Sequence, residues 1–262
     1  MIAATLIDAK LYLIPLSVVW LAAGVAAAGL PGSVALGWVP TEWLGVADRR
    51  DGWAQLVPFE SGVAPWVAAG AAAGLAVAVG LLRFGVLPLS FAEEVPLPEG
   101  ADPDDPNLIL HHPHPRREIG KELLFLAFPV LGAFGGWAIA PADAEIGGPV
   151  GYTAAGVVLG YLVGGGLVWG TRVLGTLGFG KEAMGLGDVH LLAAIGAVIG
   201  WRDTVLVFFV APFFGIVGAI LTAGIGALIK QRVRVIPYGP YLCGAAVVVM
   251  LWGEAIWAAV FP

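Results

Sequence analysis

The 262-residue chain has little charge: Asp, Glu, Lys and Arg make up 12% of it, where a soluble domain carries about 25%. That shortage excludes an ordinary soluble globule, which needs a charged coat facing water. Cysteine is nearly absent as well. The one cysteine, Cys243, sits in an apolar run, so an intrachain disulfide and a cysteine-based metal site are both excluded. The net charge of −6 says little about partners, because acids and bases are segregated in connecting segments. No nucleic-acid partner is expected. What the chain does have is apolar sequence, 59% of the residues, together with 39 glycines. Glycine on this scale suits helices whose backbones approach closely in lipid.

The apolar residues fall in seven runs: Ile14–Leu30, Val63–Leu89, Leu123–Ala140, Val150–Leu177, Val189–Gly200, Thr204–Ile229 and Tyr241–Phe261. A hydrocarbon core needs about 20 residues of helix to span it, and all the runs but Val189–Gly200 are long enough. That run is expected to form a short or re-entrant helix. The fold class expected is all-α: a polytopic transmembrane bundle of about six to seven membrane helices plus a truncated N-terminal stub. The 262 residues are read as one integral membrane domain. Residues 31–62 are expected to form an external loop and residues 90–122 a cytoplasmic one. Arg83, Arg116, Arg117, Lys121, Arg172, Lys181 and the Lys230–Arg234 cluster mark three connections as cytoplasmic by the positive-inside rule. The acidic segment Pro141–Pro149 falls on the opposite side.

The cytoplasmic loop, "FAEEVPLPEGADPDDPNLILHHPHPRREIGKE", is rich in proline and acids. Its first half is expected to be extended or disordered, and its last part reads as a basic lead-in to the next membrane helix. His111, His112 and His114 invite a metal reading. Crowded among prolines with no cysteine partner, they read instead as a solvated loop, and no metal is expected.

Two carboxylates stand at the ends of apolar runs. Asp8 follows a short apolar stub and precedes Lys10 and Pro15. Asp188 opens the short run in "KEAMGLGDVHLLAAIGAVIGW". Each has an ordinary explanation. Aspartate is a favoured N-cap and glycine before a helix is common, while Asp8 can be an interfacial acid paired with Lys10. Both are expected at the cytoplasmic face. At one depth, on helices that pack together, two carboxylates can share a proton, because like charges a few ångströms apart do not both ionise. The ionised one is then a general base for water and the protonated one polarises a carbonyl. That is aspartyl-type peptide hydrolysis, for which no cofactor is needed. Gly185 and Gly187, lacking Cβ atoms, would let a substrate backbone approach and permit positive φ.

"KEAMGLGDVHLLAAIGAVIGW", with "IPYGPYLCGA" and "LIDAKLYLIP", resembles the type 4 prepilin peptidase family, the GxGD membrane aspartyl peptidases. The likeness covers Asp8–Trp20 and Gly160 to about Val248. It implies a multi-pass protein of the inner (cytoplasmic) membrane that cleaves a short basic leader from prepilins or pseudopilins of type IV pilus or type II secretion systems, on the cytoplasmic side. It implies Asp8 and Asp188 as the catalytic pair, with Glu182 at a common family position beside Gly185 and Gly187 in substrate binding.

The chain departs from the family pattern in several places. His190 stands where a lysine is usual, and Leu16 where an acid or amide often follows Ile-Pro. The paired Cys-x-x-Cys segment linked to N-methylation is missing from these residues, so N-methyltransferase activity is not expected. Trp38–Glu122 forms an insertion. Only "MIAATLI" precedes Asp8, about 10 Å of helix, and the first helix is therefore expected to be truncated or its start assigned too late. Peptidase activity from Met1 onward is accordingly expected to be weak. A non-catalytic scaffold of a pilus or secretion apparatus is the alternative from another class. A transporter would hold its acid at mid-membrane, whereas Asp8 and Asp188 lie at run ends.

Overall fold

The computed structural model describes residues 16–39, 63–91, 113–141, 148–229 and 238–260. Among these the chain forms seven helices: α1 Leu16–Ala35, α2 Val63–Arg83, α3 Pro115–Ile139, α4 Gly148–Phe179, α5 Leu186–Ile199, α6 Trp201–Ile229 and α7 Gly239–Val260. Six of them are long and apolar enough to cross a membrane. The exception is α5, whose 14 residues make a helix of about 21 Å, as the short run Val189–Gly200 implies. Leu131, Phe134, Phe213, Ile220 and Leu251 are all more than half exposed on the outer faces of the bundle. In water such faces would associate, while in lipid they are solvated. The described residues are all-helical, and the chain is a multi-pass membrane protein. The N-terminal stub lies outside the described residues.

Helix boundaries depart from the apolar runs where polar residues are helical. α3 begins at Pro115 rather than at Leu123. Its fixed φ and missing N–H make proline a good first helical residue. The two added turns turn Glu118, Ile119 and Glu122 inward, where all three are buried. The stretch read as the end of a loop is thus the start of a membrane helix. α1 likewise continues through Pro31 to Ala35, beyond the run that ends at Leu30.

Close helix pairs are built on glycine. α2 and α3 form the most extensive pair, followed by α4 and α5. In the first pair a Cβ on Gly70 would run into the carbonyl oxygen of Gly132, and a Cβ on Gly132 into that of Gly70. In the second, Gly160 and Gly196 stand in the same reciprocal relation, and a Cβ on Gly164 would strike the carbonyl of Leu192. No side chain fits at these crossings.

The packing also fixes direction. Trp20 stacks at 5.6 Å between ring centroids on His190 and at 6.3 Å on Tyr161, and Ala26 packs with Val157 and Ala197. Residue number therefore rises together along α1 and α5 and falls along α4. α1 and α5 run parallel, with α4 antiparallel to both. At its far end α5 reverses into α6 through Gly200, whose φ of 86° suits glycine. There the Thr204 hydroxyl donates to the Gly200 carbonyl at 2.6 Å.

Candidate active site

The ends of α2 and α4 and the starts of α1, α3, α5 and α7 gather at one end of the bundle, and the buried charged residues Glu118, Glu122 and Arg172 collect there with Thr176. Asp188 lies in the first turn of α5, partly buried. It is not the N-cap. That place belongs to Gly185, with φ −72° and ψ 147° and no side-chain cap bond. Asp188 Oδ2 lies 4.0 Å from where a Cβ on Gly185 would stand. A carboxylate three positions past the cap benefits from the positive end of the helix dipole. The positive φ expected of these glycines is not used, since Gly185 is extended and Gly187 belongs to the helix. What glycine contributes is openness: Gly185 and Leu186 are exposed beside the half-buried acid, leaving room for an extended chain. Asp8 lies outside the described residues.

Tyr238, just before α7, lies within electrostatic reach of this acid. Its phenol is pushed up to about 12, first by burial and then by the Asp188 carboxylate. Both causes oppose the phenolate, so Tyr238 stays protonated, and able to donate, throughout the physiological range. Asp188→Asn should lower this titration midpoint without returning it to that of a free tyrosine, because burial, the larger cause, remains. Ultraviolet titration of the variant against a Tyr238→Phe background measures it. An unchanged midpoint would mean that the two groups do not face each other.

Glu182, the family-position acid, is engaged by the chain itself. Its Oε1 accepts from Arg172 Nη1 at 2.5 Å, while its side chain stays 45% exposed. The same Nη1 also donates to the Met184 carbonyl. Arg172 is fully buried in the last part of α4. Its Nε donates to both oxygens of Glu122, at 3.0 and 3.2 Å. Its Nη2 stands 3.0 Å from Glu122 Oε1 as an ion pair, off the line of a hydrogen bond. Trp169 Nε1 donates to Glu122 Oε2 at 2.6 Å, and the Phe91 ring covers the guanidinium at 4.8 Å. Glu118, close by, accepts from Lys121 Nζ and from the Phe91 backbone N–H, both at 2.8 Å.

None of Arg172, Glu122, Trp169 and Tyr238 stood out as a site residue from sequence. Arg172 reads there as one more cytoplasmic base, although a charge inside "GYLVGGGLVWGTRVLG" is itself a signal. Glu122 reads as the edge of a polar loop.

His190 sits against Trp20 of α1. Two residues on from Asp188, it points about 200° away around the helix. A lysine could lie over the same indole, so His190→Lys should leave thermal stability and any peptidase activity within about twofold, given the modest worth of such contacts. A large loss with normal membrane levels would show that the imidazole has a chemical task. Among the described residues no group of three or more His, Cys, Asp or Glu is placed to hold a metal. His111 and His112 lie outside them.

Residues 123–220 match the Type IV leader peptidase family. The chain is also similar to proteins named prepilin leader peptidase/N-methyltransferase. One, from Aeromonas salmonicida (strain A449), is 40% identical over 111 residues, 41% of this chain and 35% of the relative. Another, from Aeromonas hydrophila, is 39% identical over 134 residues, 50% of this chain and 39% of the relative. A third, from Pseudomonas aeruginosa, is 39% identical over 107 residues, 38% of this chain and 33% of the relative. The chain thus matches between 33% and 39% of the length of these relatives. No solved structure matches it. The matched stretch holds most of α3 and α6 and the whole of α4 and α5, with Arg172, Glu182 and the Gly-Leu-Gly-Asp sequence. Over residues 123–220, which carry α4, α5 and Asp188, the chain is thus similar to the Type IV leader peptidase family.

Proposed function

We propose that the chain is a membrane aspartyl endopeptidase. It cleaves the leader peptide of a type IV prepilin-like or pseudopilin substrate at the cytoplasmic face of the inner membrane, with Asp8 and Asp188 as its catalytic pair. The observation that carries this reading is the setting of Asp188. It is a half-buried carboxylate at the polar end of an apolar bundle, beside exposed Gly185 and Leu186, within a match to a leader peptidase family. The parallel run of α1 and α5 supports the partner. α1 begins at the Asp188 end of the bundle, and Asp8 precedes Leu16 by eight positions, a length of at most about 29 Å when extended.

In this reading the ionised carboxylate takes a proton from water as its oxygen attacks the scissile carbonyl carbon. The protonated carboxyl donates to the carbonyl oxygen. The tetrahedral carbon then collapses, the C–N bond breaks, and a proton passes to the leaving amine. Tyr238, neutral and within electrostatic reach of Asp188, supplies a further donor at this end. Glu182 and the open backbone at Gly185 and Gly187 face the incoming peptide, with Glu182 suited to a basic leader. The N-methyl transfer also named for the relatives is not extended to this chain, whose single cysteine forms no Cys-x-x-Cys pair.

The test is direct. Protein reconstituted in lipid is incubated with a prepilin, and release of the leader is followed by mass spectrometry. Cleavage at the leader junction supports the proposal. Intact substrate beside folded, inserted protein overturns it and leaves the scaffold reading.

A further inference from the structure

We propose that Arg172 is a positioning residue for Asp188, holding the Glu182–Met184 segment on α4 through a buried ion pair with Glu122. This rests on the peptidase reading only for its kinetic consequence.

Asp188 is delivered to the site by the connection between α4 and α5. That connection has no regular structure, so on its own it would let the start of α5 drift. α4 supplies the missing order from one face. Arg172, Gly175 and Thr176 lie three and four positions apart, one above another on a helix. Arg172 Nη1 takes the Glu182 carboxylate and the Met184 carbonyl. The Thr176 hydroxyl accepts the Ala183 backbone N–H at 3.2 Å. Gly175 lies beneath Ala183, so close that a Cβ there would come within 2.6 Å of the alanine methyl. Three consecutive residues are thus tied to α4 immediately before the N-cap Gly185.

The tie requires a guanidinium. Arg172 and Thr176 are fully buried, and a buried cation must be matched. Glu122 matches it from α3, held in turn by Trp169 Nε1. Nε is occupied by Glu122, while Nη1 remains directed at the segment. A planar fork serves both sides at once, whereas the single ammonium of lysine cannot. Because α3 and Phe91 complete the pocket, residues outside the Gly-Leu-Gly-Asp stretch control where its acid stands.

The experiment compares wild type, Arg172→Lys and Asp188→Asn as full chains in nanodiscs. It reads membrane level, hydrogen exchange of the amides of residues 183–188, and kcat and KM on a prepilin. Arg172→Lys keeps a cation opposite Glu122 and should insert at wild-type level. Its amides should exchange about tenfold faster or more. Its kcat should fall about tenfold to a hundredfold, as expected for an ångström of misplacement, with KM changed less than about twofold. Asp188→Asn should leave the exchange unchanged. Normal exchange and normal kcat in Arg172→Lys would overturn the proposal. So would a kcat loss matched by an equal loss of folded protein, which marks a purely structural role. If wild type cleaves no prepilin, the peptidase reading fails, and exchange alone decides the positioning: faster in Arg172→Lys supports it, unchanged refutes it.

Discussion

Asp188→Asn should lower prepilin cleavage by roughly a thousandfold, within the range for loss of a general acid or base. The amide has nearly the shape of the carboxylate but cannot accept and release the proton. The cost to folding should be modest, because Asp188 is not the N-cap and the amide keeps its shape, while the helix-dipole interaction given up is worth about 0.3–1 kcal/mol. Thermal unfolding and membrane level should stay close to wild type while the rate collapses. Asp8→Asn should do the same, and the double variant should be little worse than either alone, because groups that act as a unit give non-additive losses. Initial rates of leader release at equal protein in the membrane provide the measurement. Losses that multiply in the double variant would show that the two acids do not form a pair. Full activity in Asp188→Asn would remove this aspartate from the mechanism.

The second large effect is structural and concerns where α4 meets α5. Gly196→Ala should destabilise the protein by about 1–3 kcal/mol, the usual cost of overpacking, because the added methyl would strike the Gly160 carbonyl. Gly160→Ala should behave alike. Gly166→Ala, also on α4, meets nothing within 4 Å. It should be neutral or slightly stabilising, since alanine is favoured over glycine in a helix by about 1 kcal/mol. The same chemical change thus carries opposite signs on one helix. Thermal unfolding in detergent should show Gly196→Ala lowered by several degrees and Gly166→Ala not lowered. Equal effects at the two positions would mean that α4 and α5 do not touch through their backbones.

The number, type and approximate bounds of the helices were legible in the sequence, because an apolar run of membrane length admits few other structures. The gathering of polar residues at one end was legible from the placement of Arg83, Arg116, Arg172 and Lys181. Helix pairing was not. In a membrane helix the lipid face and the core face are both apolar, so the periodicity that marks a buried face in a soluble protein is lost. Nothing in the runs said that Ala26 meets Ala197 or that Gly160 meets Gly196. The first turns of α3 were missed because Glu118 and Glu122 look solvated until Arg172, fifty residues on from Glu122, is seen to pair with it. At the site, the special stretch around Asp188 was legible from its carboxylate and glycines. The positive φ expected of those glycines is not used, because open space for a neighbouring backbone and positive φ leave the same mark in a sequence.

The backbone seam between α4 and α5 has a mechanical consequence. Where side chains interdigitate, a helix can shift slightly as rotamers adjust. Where peptide groups meet directly, no compliant layer exists, and sliding by a fraction of a turn would drive carbonyl oxygen into Cα. α4 and α5 therefore act as one stiff wall on which Asp188 is mounted. On the proposed function, movement that admits a peptide must come from the other walls, on α1, where Trp20 and His190 form a soft aromatic layer, and at the start of α7, where Tyr238 lies within electrostatic reach of the acid. Strain applied by a substrate at this end would be taken up by those two elements, while the carboxylate stays fixed in the frame of the bundle.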